Sequence, residues 1–312
     1  MKTLSSLVTP LSLLALGALA ACGAEFDPGT QVSSLRVLAV QADTPYAHPG
    51  DTVRLQALSY DPLDRPITWA WAACPTPAGS SVDACLAQVG ADAAAGELVV
   101  LAQGEGQDNI EITIPADALD GIPDPARPQA LAGVLSIACP GELELGDLGT
   151  PLPFRCTDPG SGAELDLHDT VVGVKRVFLR ENDVNQNPVI ERVLFDGEEW
   201  LADDIKEVDA CDTDAFDYDA CKNADRHRIG AVVDAASFET GRDEFGGDFS
   251  EEVIVQHYAT DGIFEDEVRI AEEPETGWVA RTGSSGSEVS LWFVARDDRG
   301  GVSWTTRRVR VR

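Results

Sequence analysis

Near its C-terminus the chain alternates apolar and polar residues with a period of two. Val289, Leu291, Phe293 and Ala295 fall on one side of the stretch, Asp297-Asp298-Arg299-Gly300-Gly301 follows, and Val302 to Val311 returns. Successive side chains of a strand point to opposite faces, so this is a half-buried β-hairpin closed by a Gly-rich turn. The same period recurs upstream. In Thr52 to Tyr60, Val53, Leu55 and Ala57 oppose Arg54 and Gln56; in Ile67 to Cys74, Ile67, Trp69 and Trp71 share a face. Those tryptophans are expected in a core and in cross-strand packing. Further strands are expected at Ser34 to Ala42, Leu98 to Ala102, Ile110 to Ile114, Leu131 to Cys139, Val171 to Arg180, Val189 to Phe195, His227 to Val233, Glu252 to Tyr258 and Phe264 to Ile270. Thr260-Asp261-Gly262 gives the last two a hairpin-like connection. Many short strands and no helical period imply an all-β chain.

The N-terminus follows other rules. Lys2, a weakly apolar lead to Pro10, an apolar run from Leu11 to Leu19 and small residues before Cys22 have the layout of an export signal. Pro10 and the Ser and Thr residues before it leave too short a run for a spanning helix, which needs roughly 20 apolar residues. Leu19-Ala20-Ala21-Cys22 resembles the lipobox of bacterial lipoproteins. The resemblance implies cleavage before Cys22, a diacylglycerol on its thiol and usually a third acyl chain on the new amino terminus. More than one chain gives stable anchoring. Gly23, where an aspartate often retains such proteins on the inner membrane, favours an outer-membrane address. Residues 1–21 are then signal peptide and 22–33 a lipidated tether, whose Pro28 and Gly29 suit a stalk.

An exported protein meets an oxidising compartment, where an even cysteine count reads as disulfides. With Cys22 lipidated, Cys74, Cys85, Cys139, Cys156, Cys211 and Cys221 remain. Six cysteines allow fifteen pairings. Their spacing falls into three local couples bracketing polar loops, and the expectation is Cys74 with Cys85, Cys139 with Cys156 and Cys211 with Cys221. No pair has the two-residue spacing of a zinc knuckle, and no histidine stands at ligand spacing.

The order of elements resembles bacterial immunoglobulin-like (Ig-like) domains, through Pro49-Gly50-Asp51, Val53-Arg54-Leu55 and Trp69-Ala70-Trp71. The last hairpin is similar to that of an Ig-like or cadherin-like sandwich. The resemblance implies two tandem Ig-like β-sandwiches. No cysteine lies on Thr52 to Tyr60, so the antibody-type bridge between sheets is not expected. Residues 34–182 form the first domain, with a long disulfide-closed insertion; 183–188 form a linker; and 189–312 form the second domain, with an acidic insertion.

Glu181-Asn182-Asp183-Val184-Asn185-Gln186-Asn187-Pro188 is polar and ends on a proline, which marks a joint whose default behaviour is that of a plain hinge. It resembles the calcium-binding linkers between cadherin repeats, which makes Asp183, Asn185 and Asn187 candidate Ca²⁺ ligands, with a different spacing and without that family's other acidic motifs. Ca²⁺ takes six to eight oxygens. Asp212 and Asp214, between Cys211 and Cys221, are further candidates, though Phe216 and Asp217 stand where an EF-hand has its fifth and sixth positions, and no glycine or closing glutamate follows in register.

Catalytic motifs are absent: no Gly-x-Ser-x-Gly, His-Glu-x-x-His, phosphate loop or Cys-x-x-Cys. His48, His168, His227 and His257 are isolated in sequence. The net charge of -31 argues against nucleic acid and anionic lipid surfaces. Arg308, Arg310 and Arg312 alternate on the last strand and are expected to face water or neighbouring carboxylates, with an anionic polymer as the alternative. The sequence therefore points to a membrane-anchored, non-catalytic cell-envelope module that binds or scaffolds an envelope or extracellular protein or polysaccharide. The alternatives are a calcium-stiffened adhesin and an envelope hydrolase or its accessory subunit.

Overall fold

The computed structural model describes residues 29–74, 82–145, 154–165, 169–212 and 217–312. The signal segment, Cys22, His168, Asp214 and Phe216 lie outside the described residues.

Ten strands build the first sandwich: β1 (Arg36–Ala42), β2 (Tyr46–Ala47), β3 (Thr52–Tyr60), β4 (Thr68–Cys74), β5 (Val100–Glu105), β6 (Asn109–Thr113), β7 (Leu131–Cys139), β8 (Glu142–Leu145), β9 (Phe154–Thr157) and β10 (Val171–Leu179). Thirteen make the second: β11 (Ile190–Phe195), β12 (Glu198–Glu199), β13 (Ile205–Val208), β14 (Ala210–Cys211), β15 (His227–Val233), β16 (Thr240–Arg242), β17 (Asp248–Ser250), β18 (Val253–Ala259), β19 (Ile263–Phe264), β20 (Val268–Ile270), β21 (Glu275–Arg281), β22 (Glu288–Asp297) and β23 (Val302–Val311). The first sandwich has one sheet in the order β1-β3-β6 and another in the order β2-β10-β7-β4-β5. The second repeats this plan, with β11-β15-β21 in one sheet and β13-β23-β22-β18-β20 in the other. In each, a short early strand pairs in parallel with the last one, β2 with β10 and β13 with β23. The shared order makes the chain two tandem β-sandwiches of one plan, the all-β class expected from the alternation.

Alternation explains both cores. Val53, Leu55, Trp69, Trp71, Ile110, Ile112 and Val177 meet between the sheets of the first sandwich. The indole planes of Trp69 and Trp71 stack at 5.5 Å, and Trp71 Nε1 donates to the Gln107 carbonyl, so burial leaves no indole N–H stranded there. In the second, Val193, Ile229, Val255, Trp278, Leu291, Phe293 and Val309 do the same.

Four features depart from the sequence expectations. The segment after Cys74 holds a helix, α1 (Val82–Ala95), where only a loop and a strand were expected. It is rich in alanine, the best helix former, and Cys85 and Val89 are spaced one turn apart on its buried side. The insertion after Cys139 pairs β8 with β9, and these pack with α1 on the outer face of β4 and β7, burying Leu135, Ile137, Leu143 and Phe154. β7 is therefore covered on both faces. Phe264 to Ile270 is two strands: Ile263–Phe264 joins β21 in one sheet, and Val268–Ile270 joins β18 in the other. The polar Glu265-Asp266-Glu267 carries the chain between them. Finally β21, absent from the sequence expectations, pairs with β15 in the second domain's first sheet and carries β14 and β19 on its other side.

The disulfides are Cys74–Cys85, Cys139–Cys156 and Cys211–Cys221. The first pins α1 to β4 and the second β9 to β7; the third fastens the acidic excursion beneath Tyr218, against Ile263 and Val279.

Candidate functional site

A seam joins the two sandwiches, and the residues of the expected joint run beside it. β22 presents Val289, Leu291, Phe293 and Ala295 to its own core, as its alternation requires, and the opposite face is not solvated. Trp292 is 4% exposed and Val294 is fully buried, because Tyr60, Leu38, Leu58 and Ala39 of the first sandwich cover them together with Tyr258, Val302 and Trp304. The chain before β1 joins in: Val32 N–H donates to the Ala259 carbonyl, and Ala259 N–H donates to the Thr30 carbonyl. The last part of the expected tether is thus built into the body, with Val32 and Leu35 buried.

The candidate calcium residues of the joint, Asp183, Asn185 and Asn187, make hydrogen bonds along this seam. Asn187 Nδ2 donates to the Ala42 carbonyl at 2.8 Å and its Oδ1 accepts Val302 N–H at 2.8 Å, tying the two sandwiches through one amide. Asp183 Oδ2 accepts Glu244 N–H at 2.9 Å. In return the successive N–H groups of Glu181, Asn182 and Asp183 donate to the Glu244 carboxylate, a backbone nest around an anion. Asn185 is 4% exposed and donates to Asp297 Oδ2 at 3.4 Å, while its Oδ1 has no partner. Asp183 and Asn187 thus accept N–H groups of the protein, whereas Asn185 Oδ1 has no hydrogen-bond partner among the described residues. Among the described residues no three His, Cys, Asp or Glu groups converge as a metal site, and Asp212 is exposed at the rim of its loop.

Beside the nest, cations and rings alternate. Arg180 lies over Tyr46 at 4.6 Å and over Phe245 at 5.4 Å; Arg299 lies over the Tyr46 ring at 4.7 Å and over Phe249 at 3.9 Å. Arg299 also donates to the carboxylates of Glu251 and Glu239, the Tyr46 hydroxyl and the Val184 carbonyl. The Glu251 side chain is 1% exposed. Burial pushes it above the usual carboxylate range, opposed by Glu239 N–H and the Arg299 charge. A column running Phe245, Arg180, Tyr46, Arg299, Phe249 therefore interleaves Arg180 and Tyr46 of the first sandwich with rings and a cation of the second, each cation satisfied by rings as well as by oxygens. Sequence alternation carries no sign of it, because these side chains come from turns and strand ends. On β22, Trp292 and Val294 stand where a solvated strand would have polar residues.

The remaining candidates have structural partners. Arg308 and Arg310 donate to Glu288, and Arg312 pairs with Asp209, as expected of basic residues in an acidic chain. His48 lies on Asp51 and His227 on Asp196. His257 is wholly buried between Phe264 and Phe293, with Nδ1 3.2 Å from the Glu267 carbonyl and Nε2 without a partner. No helix among the described residues is long and apolar enough to cross a membrane.

No protein-family description and no curated protein matches this chain. Among solved structures it is similar to a chimeric titin Z1Z2-Z1Z2 tandem functionalised with a GRGDS peptide from fibronectin, at 11% identity, over 89% of this chain and 99% of that one, with a TM-score of 0.24. It is also similar to the N-terminal Ig1-2 module of the Drosophila receptor protein tyrosine phosphatase DLAR, at 8% identity over 89% and 99% of the two chains, with a TM-score of 0.25. The tandem Ig repeats of Dlar match at 8% identity over 90% and 99%, with a TM-score of 0.26. Scores of this size add nothing to the strand order, which by itself assigns the tandem-sandwich architecture.

Proposed function

We propose that this protein is a lipid-anchored, non-catalytic module of the bacterial cell envelope, held at the outer membrane through Cys22 and presenting a stiff two-sandwich body for binding or scaffolding. The seam carries the proposal. Large side chains such as Tyr60, Trp292 and Trp304 are spent on fixing one sandwich against the other, which suits a body that holds its surfaces in a set geometry. Loops and sheet edges on such a scaffold are the usual places for recognition. The lipobox-like Leu19-Ala20-Ala21-Cys22 supports the anchor, and the short stretch between Cys22 and the buried Val32 keeps the body close to the bilayer.

Replacing Cys22 by serine and fractionating cells tests the anchor: the protein is expected to leave the envelope fraction, and unchanged co-sedimentation overturns the reading. Protease treatment of intact cells then tells display on the surface from a periplasmic position.

A further inference from the structure

β10 runs along the open side of the first sandwich, and only its last two residues are paired there, Phe178 with Tyr46 and Leu179 with Ala47. After β1 the chain crosses between sheets through 43–45, and β2 meets β10 too far along to cover Val171–Val177. On its other side β10 pairs with β7 throughout. Phe178 N–H donates to the Pro45 carbonyl on the open side, whereas Leu179 N–H donates to the Ala130 carbonyl. Ladder alternation then turns the N–H and C=O groups of Val172 and Val174 to the open side as well. No strand among the described residues pairs with them there.

A groove of about 260 Å³ follows this edge, walled by β1 at Val37–Val40 and by β10 at Val171–Lys175, and among the described residues its charged lining is Lys175 and Arg296. Lys175 Nζ donates to the Gly300 carbonyl at 3.0 Å. Arg296 donates to the Leu38 carbonyl and to Gln256 Oε1. Neither is ion-paired among the described residues. Asp297, in the continuation of the groove, is occupied by the N–H groups of Arg299 and Gly301. Burial, with the charge of Arg296 beside it and against the attraction of Asp297, pushes Lys175 down to about 8. The chain has 54 acidic and 23 basic residues, so two cations beside an open strand edge, with Asp297 as the carboxylate that acts on Lys175 and no ion pair to either among the described residues, are the reverse of its general surface.

We propose that this edge is a docking site for an extended segment of a partner protein, which adds as a strand against Val172 and Val174 and places an acidic side chain on Lys175 and Arg296. Main-chain hydrogen bonds hold such a strand and the alternate side-chain position selects it. A second copy of this chain is not the occupant, because two bodies of formal charge -31 repel. The proposal rests on the binding-module reading and names its site.

The test titrates the full chain with a fluorescent Thr-Val-Glu-Val-Thr-Val peptide, the same peptide with lysine for glutamate, an alternately N-methylated copy, and free glutamate as competitor. The acidic peptide is expected to bind about tenfold more tightly than either modified peptide, and Lys175→Met to weaken it by about tenfold. Amide exchange at Val172 and Val174 is expected to slow on binding. Equal binding of the lysine peptide, undiminished binding of the N-methylated one, competition by free glutamate as strong as by peptide, or no binding overturns the proposal. Anchoring is read separately by fractionation, so a failure here beside a Cys22-dependent envelope location removes the edge site and leaves the anchored module standing.

Discussion

The ring of Tyr60 lies 4.9 Å from the indole of Trp292 at an interplanar angle of 58°, and the two residues belong to different sandwiches. Each sits on the face of its strand turned away from its own core. An aromatic pair of this kind couples two folding units that could each close a core alone.

Trp292→Ala is expected to cost about 3 to 5 kcal/mol, the range for emptying a buried tryptophan site. A double-mutant cycle with Tyr60→Ala should return a coupling of about 0.5 to 1.5 kcal/mol. Denaturant unfolding followed by tryptophan fluorescence measures both; additive effects would mean that the pair does not hold the seam.

Arg299→Met removes the cation from Glu251, whose side chain is 1% exposed, and is expected to destabilise by about 3 to 5 kcal/mol. Glu251 then loses the charge that opposes its upward shift. A carboxyl with a raised folded value favours folding below its unfolded value and loses that advantage as pH rises through the folded one. The deficit of the variant should therefore narrow on acidification, and adding Glu251→Gln should recover part of it at neutral pH. Unfolding free energies at pH 4 and pH 7 check both points.

Burial pushes His257 down to about 4, against 6.5 for the unfolded chain. The unfolded state takes up its proton first on acidification. The contribution is thus complete above pH 6.5 and is lost as pH falls toward 4, by up to about 3 kcal/mol. His257→Leu should flatten this part of the stability profile, and an unchanged acid limb in the variant would show that the imidazole is not its source.

Gly262 has φ +108°, and a Cβ there would collide with Trp278 Nε1 and the Val279 carbonyl. Gly262→Ala is expected to cost about 2 kcal/mol or more through overpacking and backbone strain. A lowered melting temperature with an intact far-UV spectrum would be the result; an unchanged one would mean that the β18–β19 turn is looser than described.

Alternation of period two made the long strands readable, since Val53-Leu55-Ala57 or Val289-Leu291-Phe293 leaves a strand one face to bury. It also placed Trp69 and Trp71 in a core. Where burial is two-sided the pattern blurs: β7 reads as a plain apolar run whether or not α1 lies on it, and Trp292 and Val294 look like an imperfect solvent face. α1 could have been recognised from its alanines and the spacing of Cys85 and Val89, had the cysteines not drawn attention to loop closure. β21 hid because Glu275, Thr276 and Gly277 make up its first half and leave only Trp278-Val279-Ala280 as an apolar run.

By itself the sequence determined the class of the chain, because side-chain period is local and each strand carries its own record of which face is buried. The folding-back of one sandwich on the other, the tie that Asn187 makes between them, and the open edge of β10 were decided only by tertiary structure. Each depends on groups far apart in the chain, Asn187 with Ala42 and Val302, or Lys175 with Arg296, and no local pattern records who will stand beside whom.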